Sequence, residues 1–268
     1  MRPTPPVVLV VAGSDSGGGA GIQADLATCA AHGVFATTAV TAVTAQNTCG
    51  VESVHVVPTE MVAAQIEAVL SDFDVAATKT GMLATAEIVT LVAERAAAGL
   101  PALVVDPVMV STSGDRLLEA AAEHAYRDQL FPQARVVTPN LGEASVLVGA
   151  PVQDVAAMGE AARELARSGA GAVLVKGGHL ATGEAVDVVW DGRRLHQLPG
   201  ARVATSNDHG TGCSLASAIA ANLAGGDDLL PAIIEAKAYV ARGLAGAAGW
   251  RLGSGHGPID HAVAPRVS

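Results

Sequence analysis

Short apolar, β-branched runs alternate with longer helical patterns from one end of the chain to the other, and few folds accept that alternation. Residues 7–12, 34–43, 76–79, 102–106, 136–138 and 172–176 read as strands. Most are apolar throughout, as strands buried on both faces are. Between them, Val62, Ile66, Val69 and Leu70 follow Pro58-Thr59 at i, i+4, i+7 and i+8. Ile88, Leu91 and Val92 form a similar stripe after Thr85, a side chain suited to an N-cap. Residues 114–130, 154–168, 212–224 and 228–248 carry further helical patterns. Such alternation implies an α/β fold with a mostly parallel sheet covered by helices on both sides.

Half of the residues are hydrophobic but only 3% are aromatic, so the core is expected to be Val, Leu, Ile and Ala. Residues 51–57 and 186–190 read as peripheral or antiparallel strands, and Asp191-Gly192 before residues 195–198 predicts a hairpin. No Pro/Ser-rich linker, repeat or low-complexity tail breaks the 268 residues, which favours a single domain over 1–268.

The formal net charge of −10 argues against nucleic acid and anionic membranes as partners, since both reward clustered Lys and Arg. Small phosphorylated ligands stay open, because local amides, one or two cations and Mg²⁺ can hold them. The apolar run at residues 7–12 is too short for a signal-peptide core. No segment reaches the ~18 uninterrupted apolar residues of a membrane span. Cys29, Cys49 and Cys213 are odd in number and lack metal-ligand spacing, which fits a reduced cytoplasm.

Open α/β sheets bind ligands beyond the carboxyl ends of their strands. Polar residues gather there: the glycine loop 13–21, Gln46-Asn47, Lys79–Met82, Asp106–Met109, Thr138–Glu143 and Lys176–His179. The loop 13–21 is neither a Walker A loop, lacking Gly-Lys-Ser/Thr, nor a dinucleotide fingerprint, because Ile22 stands at the third glycine position. It is left as a flexible loop approaching a substrate, or a plain tight turn. Asp106 and Glu143 end two strands as Mg²⁺-bound phosphate requires, although a turn Asp before proline and a helix cap explain them equally well. Lys176, before two glycines, is placed to clamp a phosphate, with Lys79 and Lys237 weaker candidates. A lone helical Asp25 most often reads as a solvated carboxylate.

The densest signal is Asn207-Asp208-His209-Gly210-Thr211-Gly212-Cys213, followed by an alanine-rich helix. Bare N–H groups at a helix start form a ready anion site. The helix dipole there is expected to lower the Cys213 thiol pKa. A Gly-rich turn with a buried cysteine is the plain alternative.

Taken together, the segments 13–25, 41–48, 106–114, 138–143, 175–179 and 209–213 resemble, in order, the hydroxymethylpyrimidine and phosphomethylpyrimidine kinases of thiamine biosynthesis, within the ribokinase-like superfamily. The resemblance continues to Gly255-His256-Gly257-Pro258. It implies a three-layer α/β/α domain, usually a homodimer, that uses ATP and Mg²⁺ to phosphorylate 4-amino-5-hydroxymethyl-2-methylpyrimidine and then its monophosphate. By matching position, Asp25 and Gln46 would bond the aminopyrimidine, with Gly13, Ala20, Met82 and Val108 around it. Asp106 and Glu143 would serve the metal, and Asn140 the nucleotide phosphates. Lys176 would contact ATP, while Gly210, Thr211 and Gly212 form the anion hole and Cys213 acts as the base. Asp208 departs from the threonine expected there, and its extra carboxylate either weakens binding of a phosphorylated substrate or points to solvent. Two other readings stand beside this one: a pyridoxal or pyridoxine kinase, and a catalytically silent sensor of pyrimidine or B6 vitamers.

Overall fold

The structure, a computed structural model, describes residues 4–109, 122–180 and 183–263. Its elements in chain order begin with β1 (Val7–Asp15), α1 (Gly21–Ala31), β2 (Phe35–Asn47), β3 (Gly50–Val56), α2 (Thr59–Leu70), β4 (Val75–Thr80) and α3 (Ala86–Ala97). There follow β5 (Leu103–Val105), α4 (Ala122–Ala125), β6 (Val136–Val137), α5 (Leu141–Val148), α6 (Val155–Ala166) and β7 (Val173–Val175). The last are β8 (Asp187–Trp190), β9 (Leu195–Leu198), α7 (Thr211–Ala224) and α8 (Leu229–Ala247).

The strands make one nine-stranded sheet in the order β3-β2-β1-β4-β5-β6-β7-β8-β9. The six central strands are parallel, while β3 at one edge and β8 and β9 at the other are antiparallel. Alternate residues of β1 show why its sequence is apolar throughout. Val8, Val10 and Ala12 pack with Leu215 and Ile219 of α7 and Ile233 of α8. Leu9 and Val11 point the other way, into the layer of α2, α3, α5 and α6. Helices cover both faces, and the core is aliphatic as composition requires.

Local chemistry sets several boundaries. The Thr85 hydroxyl accepts the Ile88 N–H at 3.3 Å and caps α3 as expected. Gly149, at φ 69°, closes α5 in the left-handed conformation that glycine adopts without strain. The expected strands all form, but β1 and β2 run further, to Asp15 and Asn47. The glycine loop therefore spans only residues 16–20. Helix α5 was signalled only by the cap reading of Glu143, because eight residues are too few for an apolar period to emerge. Of the helical stretch 114–130, residues 114–121 lie outside the described residues; the remainder is α4 followed by a π-helical turn, Tyr126–Leu130.

Candidate active site

Strand order reverses direction at β1, which pairs with β2 on one side and β4 on the other. Connections leaving such a point diverge and open a crevice at the strands' carboxyl ends. A cavity of about 850 Å³ occupies it, lined by residues from the ends of β1, β2, β4, β5, β6 and β7 and by the start of α7.

Gly210 turns the chain into α7 at φ 81°, and a Cβ there would run into the Gly19 carbonyl oxygen. Only glycine fits both constraints. The Thr211 N–H is turned back to the Asp208 carbonyl at 3.3 Å, and the Ser214 N–H bonds Gly210 O at 2.9 Å. Among the described residues the Gly210, Gly212 and Cys213 N–H groups have no acceptor, so of residues 210–212 only the Thr211 amide is engaged. Thr211 still lines the cavity. A Cβ on Gly212 would lie 3.2 Å from Lys176 Nζ and 3.7 Å from Asp106 Oδ2, so this bare position faces a cation and a carboxylate together.

Of that pair, Asp106 is buried and Lys176 is slightly exposed. Lys176 Nζ donates to Asp106 Oδ1 at 2.7 Å and lies 4.0 Å from Glu143 Oε2, while the Thr138 hydroxyl also reaches Asp106 Oδ1 at 3.2 Å. Burial disfavours the Lys176 charge, but Asp106 and then Glu143 more than offset this and hold the ammonium above its usual range. Glu143 goes the other way: burial pushes its carboxyl up, Lys176 pulls it down, and burial prevails. Asn140 and Glu143 also form a reciprocal capping box on α5, at 2.7 and 2.9 Å. The cap and the placement beside Lys176 are one arrangement, because the cap aims the Glu143 carboxylate.

Across the cavity, Met82 and Val108 pack with Ala42 and Ala84. A Cβ on Gly13 would strike the end of Met82, so the bare Gly13 lets this wall close up. Gln46 lines the same lobe, its backbone pinned by Ser16 Oγ at 2.8 Å and 2.7 Å. Ala20 begins α1 there, and its N–H donates to Asp15 Oδ2 at 2.8 Å.

Several expectations require correction. Asp25 is neither solvated nor in the cavity lining: it is fully buried, and Lys79 Nζ bonds both its oxygens at 2.8 Å. Ser217 of α7 donates to it as well, at 2.7 Å. Three protein donors engage this carboxylate, and it is its partner Lys79 that lines the cavity. Lys237, the other weaker clamp candidate, is engaged by the protein: it bonds Asp187 Oδ2 at 2.7 Å and Ala185 O at 2.8 Å. Asp208 pairs with His256 Nδ1 at 2.7 Å on a partly exposed rim. Cys213 does line the cavity, but its thiol is not lowered. Burial pushes it up to about 11, with Asp25 and Asp106 adding to this against Lys79 and a hydrogen bond from the Gly21 amide. Desolvation therefore outweighs the helix terminus.

Three features escaped the sequence reading. Asp15, the last residue of β1, accepts N–H bonds from Gly17, Gly19 and Ala20 of the glycine loop at 2.7, 3.1 and 2.8 Å. It also meets His209 Nε2 at 2.9 Å, tying the loop to the α7 turn. The third feature is a second, more apolar lobe lined by Val203, Leu215, Val240 and Leu244. Asp15 and His209 both lie inside recognised motifs, and Asp15 could have been found as the one charged residue of the segment 13–21. The apolar lobe leaves no such mark, because its α7 and α8 residues look like core.

A family model described as phosphomethylpyrimidine kinase matches residues 15–260. The hydroxymethylpyrimidine/phosphomethylpyrimidine kinase of Rhizobium meliloti (strain 1021) is 50% identical over 256 residues, covering 95% of this chain and 96% of that one. The chain spans about half of some longer relatives, such as a bifunctional thiamine biosynthesis protein of Geobacter sulfurreducens. Among solved structures, an ADP complex of Bacillus subtilis pyridoxal kinase superposes with a TM-score of 0.90 at 36% identity, covering 97% of this chain and 98% of that one. The phosphomethylpyrimidine kinase of Clostridium difficile 630 gives 0.78 at 38% identity, covering 89% and 99%.

Proposed function

The chain belongs to the phosphomethylpyrimidine kinase family, and from that premise we propose that it moves the terminal phosphoryl group of ATP onto the hydroxymethyl oxygen of 4-amino-5-hydroxymethyl-2-methylpyrimidine, then onto the resulting monophosphate. One observation carries the reading: the open Gly212 and Cys213 amides face the Lys176–Asp106 pair across a bare glycine, in a cavity that also has a ring-sized apolar lobe. Pairing preorganised amides with a fixed cation is what phosphoryl transfer rewards, since its barrier falls through positioning and charge neutralisation.

The substrate lies against Met82, Val108 and Gly13 with Gln46 at its polar edge, and Ala20 closes the lobe. The nucleotide base takes the apolar lobe of Leu215, Val240 and Leu244, with its phosphates between Asn140, Lys176 and the start of α7. The substrate oxygen attacks the terminal phosphorus, the new O–P bond forms, and the bond to the departing diphosphate breaks. Cys213 hydrogen-bonds the attacking oxygen; once the thiol has given its own proton to water, the thiolate takes the hydroxyl proton as that bond forms. The Gly212 and Cys213 amides hold the equatorial oxygens, and Lys176 balances their charge.

Mg²⁺ fits the residues present. Asp106 Oδ2 accepts no protein hydrogen bond among the described residues and faces the Gly212 position, with the Glu143 carboxylate also beside Lys176. One or two carboxylates plus phosphate oxygens and waters satisfy this ion. Among the described residues no three His, Cys, Asp or Glu side chains cluster to hold a metal unaided, which is consistent with an ion that arrives with the nucleotide. When bound, it would neutralise phosphate charge.

We read the chain as a single kinase domain, supported by the one sheet that runs through it. We also read it as a homodimer, supported by the large apolar side chains Phe35, Val43 and Met61 left at least half exposed near the β2–β3 edge. Among the described residues no helix is long and apolar enough to cross a membrane. A cytoplasmic setting is the expectation its unpaired thiols support.

Pyridoxal kinase is the second reading, favoured by the likeness to the B. subtilis structure. Mg²⁺-dependent ATP consumption measured on the hydroxymethylpyrimidine, its monophosphate and pyridoxine separates the two. Turnover of both pyrimidines is the expected result. Turnover of pyridoxine alone would transfer the assignment to B6 chemistry, and binding without turnover would leave a sensor.

A further inference from the structure

Four residues from three segments meet at the polar edge of the substrate lobe. Asp15 Oδ2 accepts from the Gly19 and Ala20 amides and lies 2.9 Å from His209 Nε2. Three of its hydrogen bonds favour the charged form: burial alone would raise this carboxyl, but His209, Ala20 and Gly17 outweigh burial and hold it below its usual range. An ionised carboxylate only accepts. The His209 nitrogen facing it must therefore carry a proton, whether the ring is neutral or charged.

The same nitrogen lies 3.3 Å from Gln46 Nε2, itself a donor. Two donors face each other there, and a similar conflict sits at the other end of the amide. The Thr44 hydroxyl approaches Gln46 Oε1 at 3.2 Å, yet its one proton is engaged by Ser14 O at 2.9 Å. A half-turn of the Gln46 amide resolves both at once. Oε1 then shares the single His209 Nε2–H with Asp15 Oδ2, as the longer arm of a bifurcated bond, and Nε2 donates to Thr44 Oγ1.

We propose that His209 is a positioning residue for substrate specificity: held by Asp15, it fixes which end of the Gln46 amide accepts and which donates. The outer edge of Gln46 keeps one lone pair and one N–H in a set order. A ring carrying an exocyclic amine beside a ring nitrogen, the amidine edge of an aminopyrimidine, complements that edge. A pyridine alcohol without the amine does not, so His209 sharpens the choice between the two ring classes. The inference rests on the pyrimidine kinase reading and deepens it.

Steady-state kinetics on the hydroxymethylpyrimidine and on pyridoxine test the assignment. His209→Ala is expected to raise the KM for the pyrimidine about tenfold, the worth of one hydrogen bond, with kcat changed little. KM for pyridoxine should stay within about twofold, and His209→Gln, which keeps a donor near the same place, should recover most of the loss. Equal losses on both substrates, or a fall in kcat alone, would overturn the proposal. Nitrogen-15 NMR of the wild-type imidazole adds a readout free of turnover: Nε2 should carry the proton in the neutral ring, and the Gln46 side-chain amide resonances should move in His209→Ala. An unprotonated Nε2 in the neutral ring would also overturn it. If the wild type ignores both pyrimidines, the kinase reading fails, while the NMR result still decides the hydrogen bond.

Discussion

Lys79 and Asp25 meet inside the protein with Nζ 2.8 Å from each carboxylate oxygen, and neither side chain is exposed. Burial works against the Lys79 charge, but Asp25 more than offsets it and keeps the ammonium above its usual range. Removing one partner strands the other. Lys79→Met should therefore cost about 3–5 kcal/mol in urea unfolding, whereas Lys79→Met with Asp25→Leu should recover a large part of it. A double variant no better than the single one would mean the pair is not the source of the loss.

Cys213 should behave as a thiol, not a thiolate, in the ligand-free protein. With its pKa near 11, iodoacetamide should modify it more slowly at pH 7.5 than it modifies the exposed Cys49, and the rate should keep climbing towards pH 11. The raised value also fixes the sign of the linkage. The stabilising contribution is complete below the ordinary pKa of 9.0 and is lost as pH rises through about 11. Cys213→Ala should lower kcat about 100-fold if the thiolate formed in the complex takes the proton. Near-full turnover would remove it from that role.

Asp106→Asn and Glu143→Gln should each raise the Mg²⁺ concentration needed for half-maximal rate. A Mg²⁺ titration at saturating ATP checks this. Lys176→Met should instead weaken ATP, since it removes the cation beside the open amides, and it also leaves Asp106 unpaired.

Gly210→Ala asks for a left-handed backbone and places a methyl group against the Gly19 carbonyl. A displacement near 1 Å at a reacting centre costs on the order of 10²-fold, so kcat/KM should fall by about that much while far-ultraviolet dichroism is retained. Unchanged kinetics would show that the turn tolerates the shift.

Asp15 carries the opposite linkage to Cys213. Its carboxyl is held below 3.8, so its contribution is present above that pH and is lost as pH falls further. Asp15→Asn should flatten the acid limb of a stability profile below about pH 4, read by thermal melts across pH.

The sheet was legible because a parallel strand buried on both faces has an unmistakable sequence. Leu9 and Val11 enter one layer and Val8 and Val10 the other, leaving no polar residue to break the run. The glycines and polar residues at strand ends were legible for the converse reason: packing does not call for them. What the sequence hid was the outcome of competing local effects. The Cys213 position at a helix start argues for a low pKa, and only the surrounding side chains reveal how much water is lost. Asp25 reads as a surface carboxylate because Lys79 and Ser217, its partners, lie 54 and 192 positions away. Asn140 and Glu143 were ambiguous between cap and ligand; the structure shows the cap, and their ligand role belongs to the proposed function.

Asp15 and His209 are separated by 194 positions, and Gly19 and Gly210 are fitted to each other across a similar interval. During synthesis, β1 to β4 emerge early and can pair while α7 is still to be made. The loop at residues 16–20 then lacks the turn that braces it. Neither ligand lobe can be complete until the last quarter of the chain has left the ribosome, so an incomplete product could bury much of its sheet and still be inert towards both substrates.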